Sequence, residues 1–171
     1  MKKLFQNRYF PFIAVLCVLL SDGLSKYFTQ LYIPLMHRYG FWYPYGGIPI
    51  FKNFFGIEFS ISHQINNGAA WGMLASYQIP LLYFRILLIS FLILYACLFN
   101  RRPEQTLPFA LIIAGALGNV LDFFFYGHVV DMLHFVFWGY DFPVFNLADS
   151  SIFIGIAALL LLETLEKRKR A

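Results

Sequence analysis

Four long apolar segments, separated by short polar stretches, constrain this chain more than any other feature. They span residues 10–31, 79–99, 106–126 and 146–166, and each approaches the ~20 residues that a helix needs to cross a bilayer. Only 13% of the residues are charged, about half of the roughly 25% that is usual for soluble domains. The sequence therefore predicts an all-α membrane protein with four transmembrane helices, which form a single domain over residues 1–171.

The stretch between the first two helices, residues 32–77, has a different character because Pro and Gly residues break any helix there. Within it, residues 54–65 read FFGIEFSISHQI, a partly alternating run of β-forming residues that favours a strand or a hairpin. Open sheet edges cannot face lipid hydrocarbon, whereas Trp and Tyr are common at the membrane surface. We therefore expect a small β element at the membrane–water interface.

Basic residues give the orientation. Nine of the 13 Lys and Arg residues flank helix ends that must lie on one side, so the positive-inside rule places both termini in the cytoplasm. Because these residues cluster beside apolar segments instead of covering a folded face, a nucleic-acid partner is not expected. The nine are Lys2, Lys3, Arg8, Arg101, Arg102, Lys167, Arg168, Lys169 and Arg170.

Several kinds of site have no support in the sequence. Cys17 and Cys97 both fall within apolar runs, without the spacing of a disulfide framework or a zinc site. The four histidines lack the HExxH spacing of a zinc protease, and no nucleophile motif such as GxSxG occurs. We therefore expect no metal and no cofactor, and we interpret His128 and His134 as structural or interfacial residues.

All five aspartates map to the extracytoplasmic half of this topology. An ionised Asp at the centre of a bilayer costs on the order of 2.5–3.5 kcal/mol, so their clustering requires an explanation. The five are Asp22, Asp122, Asp131, Asp141 and Asp149.

Three of them have a simple local explanation. Asp22 and Lys26 are four residues apart, the spacing of a helical ion pair. Asn119 and Asp122 share a helix face and would bond across to another helix. Asp141 lies between Gly-Tyr and Phe-Pro and is interpreted as a turn residue.

The remaining two point to catalysis. Asn146 and Asp149 have the spacing of a helix capping box, but Asp131 follows two Val residues and has no such local role. Two carboxyl groups at a membrane surface that water reaches can hydrolyse a peptide. One accepts a proton from water while the other donates a proton to the peptide carbonyl. At about 3 Å their repulsion is roughly 5 kcal/mol for an effective dielectric constant near 20, so the pair would share one proton. We therefore predict that Asp131 and Asp149 form a proteolytic dyad.

In these residues the sequence resembles the lipoprotein signal peptidases, the signal peptidase II family. Five motifs occur in the family's order across nearly the whole chain. The matching segments are Asp22-Gly-Leu-Ser-Lys26, Asn66-Asn-Gly-Ala-Ala-Trp71, Gly118-Asn-Val-Leu-Asp122, Val129-Val-Asp131 and Phe145-Asn-Leu-Ala-Asp149.

The resemblance implies a four-helix aspartyl endopeptidase of the bacterial inner membrane, with an extracytoplasmic β-cradle and a small helical flap. Its partners would be membrane lipids and diacylglyceryl-modified prolipoproteins, which a monomer would cleave before the lipidated cysteine. Asp131 and Asp149 would be catalytic, and the glycine and alanines at 68–70 would allow a substrate chain to approach closely. The residues expected to bind substrate or support the site are Asp22, Lys26, Asn66, Gly68, Ala69, Asn119, Asp122 and Asn146.

The sequence departs from the family pattern at two positions. Phe123 follows Asp122, where the family has Arg, and Ile65 precedes Asn66, where an Arg is frequent. Losing both cations would change how the carboxylates and a substrate carbonyl are held. Lys26 and Arg85 are the candidates to replace them.

Two other functions are compatible with intramembrane acids. A small proton-coupled transporter subunit would use them as a relay, but it predicts acids spread through the depth of the membrane. A binding-only relative that has lost activity would retain the fold, with Phe123 as the mark of degeneration.

Overall fold

The computed structural model describes residues 9–36, 42–68 and 75–170. Four helices in this part of the chain are long and apolar enough to cross a membrane, which confirms the predicted fold class. They are α1 (Phe10–Tyr32), α2 (Gln78–Leu98), α3 (Pro103–Tyr126) and α4 (Leu147–Arg170).

Two helix boundaries differ from the expected ones for local reasons. Helix α3 begins at Pro103, because a proline in the first turn has no N–H group to leave unpaired. The negative charge of Glu104 in the same turn interacts favourably with the helix dipole. Helix α4 continues through the terminal basic residues, since Lys and Arg are good helix formers and favour a helix C-terminus.

The sheet is antiparallel, with its four strands in sequence order. They are β1 (Ile48–Phe54), β2 (Ile57–Asn66), β3 (Val129–Phe137) and β4 (Tyr140–Asp141). The strand or hairpin expected around residues 54–65 is a hairpin formed by β1 and β2. Gly127, with a φ of 76°, makes the turn before β3. The helical flap is not tested, because residues 37–41 of the segment that would hold it lie outside the described residues.

Strand β3 is not predicted by the sequence analysis. Its first four residues are all buried, so the run lacks the polar alternation that identifies a half-exposed strand. The turn expected at Asp141 is wrong, because Asp141 pairs with Val136 as part of β4.

The chain divides into two compact units. The helical unit comprises Met1–Ser21, Tyr83–Val120 and Leu147–Ala171. The sheet unit comprises Asp22–Leu82 and Leu121–Asn146. The second unit therefore contains the whole sheet together with one end of each of the helices α1, α2 and α3.

One face of the sheet is largely aromatic. Phe59 lies opposite Phe135 across β2 and β3, with the rings stacked at 4.2 Å between centroids, and Phe51 extends the row from β1 at 5.7 Å. Phe137 and Phe145 contact Phe135 from either side. Such ring pairs contribute about 0.5–1.5 kcal/mol each beyond their buried area.

A bulge in β2 adjusts the pairing beside Asp131. Ile61 pairs with Leu133, but the next pair is Gln64 with Asp131, so β2 contains one residue more than β3 over this stretch. Both residues of the bulge, Ser62 and His63, are buried. Bulges are frequent next to active sites, where they redirect side chains.

In the helical unit, α3 and α4 approach closely at two glycines. A Cβ atom on Gly115 would lie 2.2 Å from the carbonyl oxygen of Ala148, and one on Gly155 would lie 2.7 Å from that of Pro108. Ser151 secures the same crossing by donating to the Leu111 carbonyl at 2.8 Å. Small residues of this kind let membrane helices pack backbone to backbone.

We expect Gly115→Ala to lower stability by roughly 1–3 kcal/mol, the usual effect of overpacking, because the obstructing atom belongs to the backbone. Gly23→Ala is the matched control, since a Cβ atom at Gly23 meets nothing within 4 Å and Ala is the better helix former. Thermal unfolding in detergent measures both. Equal unfolding temperatures for the two variants would contradict the close-packing account.

Candidate active site

Asp131 lies in β3 with only 2% of its surface exposed. Each of its carboxylate oxygens accepts a hydrogen bond from a different side-chain amide. Asn66 donates to Oδ2 at 3.0 Å, and Asn146 donates to Oδ1 at 2.8 Å. A buried carboxylate requires such donors, and two of them from distant parts of the chain hold this one in a single orientation.

The turn after β2 orients the first of these amides. The backbone N–H of Gly68 donates to Oδ1 of Asn66 at 2.9 Å, so the oxygen of the amide faces the turn and its nitrogen faces Asp131. Asn146 is fully buried, and its nitrogen also lies 3.3 Å from the Val130 carbonyl. Ala69, the other predicted member of this segment, lies outside the described residues.

A second cluster contains three buried charges. The Lys26 ammonium lies 2.6 Å from Asp22 and 2.7 Å from Asp122, and its side chain has 0% exposure. The ion pair expected between Asp22 and Lys26 is thus confirmed, but Asp122 shares the same cation. Asp122 also accepts a hydrogen bond from the backbone N–H of Val130 at 3.3 Å, which links this cluster to the residue before Asp131.

Lys26 therefore supplies a cation to Asp122, the residue that precedes Phe123 in the sequence. Lys26 is one of the two candidates named above to replace the arginine that the family pattern has at position 123. Arg85, the other, belongs to α2 in the helical unit.

The helical unit contains the second predicted aspartate of the dyad. Asp149 lies in the first turn of α4, where a carboxylate is favoured by the helix dipole. Asn119 of α3 donates to Oδ1 of Asp149 at 2.8 Å. Asn119 thus bonds across to another helix, as its position predicts, and its partner is Asp149.

The structure thus groups the predicted residues in three sets. The first set, in the sheet unit, surrounds Asp131 and consists of Asn66, Gly68, Asp131 and Asn146. The second set, also in the sheet unit, is the ionic cluster of Asp22, Lys26 and Asp122. The third set, in the helical unit, is the pair of Asn119 and Asp149.

One polar residue near this region, Gln30, is not identified by the sequence analysis. Its side-chain amide lies 3.0 Å from Nε2 of His128, the residue directly before β3. Gln30 is four residues after Lys26, and Lys26 is four residues after Asp22, so a search for polar residues at helical spacing would have found it.

His128 is held in its neutral form. Burial lowers the pKa of His128, and the neighbouring His63 lowers it further. His63 itself is buried, and its Nδ1 lies 2.8 Å from the Ile33 carbonyl. Since that contact requires a donor, Nδ1 carries a proton, and Nε2 has no hydrogen-bond partner in the part of the chain that the structure describes.

His134 belongs to a separate group on the sheet, in keeping with its structural interpretation. Its Nε2 lies 2.7 Å from the Asp141 carboxylate, and its ring packs on that of Tyr45 at 4.4 Å. The Tyr45 hydroxyl donates to Glu58 at 2.8 Å. Burial and this carboxylate acceptor raise the pKa of Tyr45, so its hydroxyl remains protonated and binds the loop before β1 to β2.

The chain matches known proteins over most of its length. The family model described as signal peptidase (SPase) II matches residues 14–165. A lipoprotein signal peptidase of Halothermothrix orenii is 37% identical over 150 residues, which cover 88% of this chain and 92% of the relative. Another, of Staphylococcus aureus, is 38% identical over 118 residues, covering 65% and 71%.

Two solved structures have the same fold. One is a bacterial membrane enzyme determined by the in meso method at 2.3 Å resolution, with a TM-score of 0.81, 24% identity and coverage of 96% of this chain and 93% of that one. The second, at 1.9 Å resolution, has a TM-score of 0.74, 26% identity and coverage of 91% and 93%.

We expect Lys26→Met to destabilise the protein by roughly 3–5 kcal/mol, since removing one member of a buried ionic group leaves uncompensated charge. Lys52→Met is the matched control, because Lys52 is exposed. Unfolding in detergent would measure the difference. A Lys26→Met variant as stable as Lys52→Met would show that the cation does not hold the cluster together.

The His128 environment predicts a dependence of stability on pH. Because the folded pKa of His128 lies below its usual value, the unfolded chain binds more protons, and stability falls as pH drops through about 6.5, the ordinary pKa of histidine. The loss continues until pH passes below the folded pKa. His128→Gln, which keeps a polar partner for Gln30, should flatten this dependence in thermal unfolding between about pH 8 and 5. An unchanged slope would assign the effect to another group.

Proposed function

The chain belongs to the signal peptidase II family, as the match over residues 14–165 shows, and from this premise we propose that it is an aspartic endopeptidase acting on lipoprotein precursors. Its relatives are named lipoprotein signal peptidases. The protein is thus a bacterial membrane protease that removes signal peptides from lipoproteins. The substrate is a diacylglyceryl-modified prolipoprotein, and the bond cut precedes the lipidated cysteine.

The observation that carries this proposal is the binding of Asp131 by two amides. Asn66 and Asn146 each donate to one oxygen of a carboxylate that is almost completely buried. A purely structural aspartate at this depth would more simply be an apolar residue, because burying an acid carries a large desolvation cost. Fixing both oxygens is what an acid–base catalyst needs, since proton transfer depends on geometry first.

Asp149 is the proposed second acid. It is three residues after Asn146, so the chain alone limits the distance between their Cα atoms to about 11 Å. Asn119 fixes Asp149 as the two asparagines fix Asp131. Capping-box spacing accounts for the position of Asp149 at the start of α4, but it does not account for the added bond from α3.

In the proposed mechanism the two carboxylates share one proton at neutral pH. The ionised group takes a proton from water, and the oxygen of that water attacks the carbonyl carbon before the lipidated cysteine. The protonated group donates to the carbonyl oxygen, which gives a tetrahedral intermediate. Its collapse breaks the C–N bond: the group that took the proton from water gives it to the leaving amine, and the other group takes a proton back from a hydroxyl of the intermediate, which becomes the new carboxylic acid. The dyad then holds one proton again, as at the start.

The other predicted residues have supporting roles in this proposal. Asp22, Lys26 and Asp122 hold the start of β3 through the N–H of Val130. Asn66, Gly68 and Ala69 would accept the backbone of the substrate, because small residues allow close approach.

The remaining elements of the proposal are carried over from the sequence analysis. We propose that residues 1–171 act as a single peptidase domain and function as a monomer. Both termini face the cytoplasm, as the basic residues indicate, and the active site opens near the extracytoplasmic face.

We expect purified protein in detergent to cleave a diacylglyceryl-modified prolipoprotein peptide and to leave the unlipidated peptide intact. Asp131→Asn and Asp149→Asn should each lower kcat by at least about 100-fold, the usual contribution of a general acid or base. Asp141→Asn is the matched control, because Asp141 is an exposed aspartate of the same chain and should retain activity.

Each outcome is informative. Retained turnover in Asp149→Asn would disprove the dyad while leaving the family assignment in place. Failure of a folded wild-type protein to cleave the lipidated peptide would favour the binding-only relative. Thermal unfolding of each variant separates loss of catalysis from loss of fold.

A further inference from the structure

Two turns at one end of the sheet place large aromatic side chains in full exposure. Phe55 lies between β1 and β2 and is 82% exposed, and Trp138 lies between β3 and β4 and is 76% exposed. The turns are adjacent, since the Trp138 N–H donates to the Gly56 carbonyl at 2.9 Å. Phe54 and Tyr140, also exposed, flank them. We call these four residues the aromatic tip.

Both central residues of the tip have a strained backbone. Phe55 has a φ of 52° and Trp138 a φ of 50°, a left-handed conformation that is unusual for bulky side chains and easily adopted by Gly or Asn. Such conformations cost on the order of 1–3 kcal/mol each. A turn that only had to reverse the chain would be more stable with Gly or Asn at these positions.

The rings do not offset this strain by burial. Phe55 contacts Phe54 at 4.9 Å between centroids, and Trp138 lies over Gly56, where a Cβ atom would meet the indole at 2.5 Å. Most of both rings still faces outward. The fold therefore holds two apolar side chains outside itself at an energetic cost.

The chemistry of the tip fits a lipid surface. Residues 53–57 read NFFGI and residues 137–140 read FWGY, without a single charge. Exposed turns in water are normally polar, whereas contiguous apolar patches mark interaction sites. Trp and Tyr are enriched at the membrane interface, and Phe accompanies Trp on the buried face of interfacial segments.

A bilayer also lies within reach. The sheet belongs to the same compact unit as the ends of α1 and α3. Apolar side chains are still exposed at these helix ends, for example those of Leu31 and Phe125. A compact unit of about 100 residues has a radius of gyration of only about 13 Å. The surface of the bilayer that contains these helices is therefore at most a few nanometres from the tip.

We propose that the aromatic tip inserts into the headgroup region of the bilayer that the helices cross, and so anchors the end of the sheet opposite to Asp131. The tip is separated from Asp131 by six residues of β3, about 20 Å of strand. Anchoring at this distance would fix the tilt of the sheet, and with it the height of Asp131 relative to the lipid. The proposal requires only that the chain lies in a membrane and does not rest on its peptidase activity.

Fluorescence of Trp138 tests the contact directly. Trp42→Phe and Trp71→Phe leave Trp138 as the only tryptophan of the three. In phosphatidylcholine nanodiscs the emission of Trp138 should lie at a shorter wavelength than the emission of a tryptophan in water. Brominated lipids should quench this emission most strongly when the bromine lies near the headgroups. Emission typical of water, with free quenching by acrylamide, would overturn the proposal.

Phe55→Asn separates membrane contact from folding. Asn adopts a positive φ readily, so the unfolding temperature in detergent should stay the same or rise, while lipid quenching of Trp138 decreases. Phe51→Asn is the matched control, because Phe51 packs on Phe59 and its loss should lower the unfolding temperature. An equal loss of stability in Phe55→Asn would mean that the ring acts in packing, which contradicts the proposal.

A second copy of the chain is the other possible occupant. In that case the emission shift would appear only in nanodiscs that hold two proteins, and bromine would have no effect. Nanodiscs loaded with a single protein distinguish the two, and absence of quenching in them would overturn the lipid contact.

Discussion

The position of Lys26 between Asp22 and Asp122 is the interaction on which the rest of the sheet unit depends. Removing three charged groups from water costs several kcal/mol for each, and only close pairing offsets it. The ammonium lies within 2.7 Å of both carboxylates, so α1 and the end of α3 are joined at one point. Because Asp122 also binds the Val130 N–H, the start of β3 is fixed by the same charges.

The two proposed catalytic acids have different surroundings. Asp131 is almost entirely buried, with an amide on each oxygen, whereas Asp149 is partly exposed at the first turn of a helix. Environments that differ in this way are how two identical carboxyl groups acquire different roles. The sequence analysis predicts these two residues as the dyad, and their hydrogen bonds and burial supply the physical difference between them.

The sequence predicts the helices well because each needs only a long apolar run, whose length is set by the bilayer. It also predicts the pair of Asp22 and Lys26, since helical spacing is a local property. It does not predict β3, whose buried first residues lack alternation, or the bond from Asn66 to Asp131 across 65 positions. Contacts of that kind depend on strand register, which is fixed by packing in three dimensions.

The bulge at Ser62 and His63 has a consequence for how this chain can change in evolution. Side chains in a strand alternate between faces, so deleting one residue between Ile61 and Gln64 would turn the end of β2 over. The amide of Asn66 would then point away from Asp131, although every residue of the site was still present. The site therefore requires the length of this short segment as well as the identity of the aspartates.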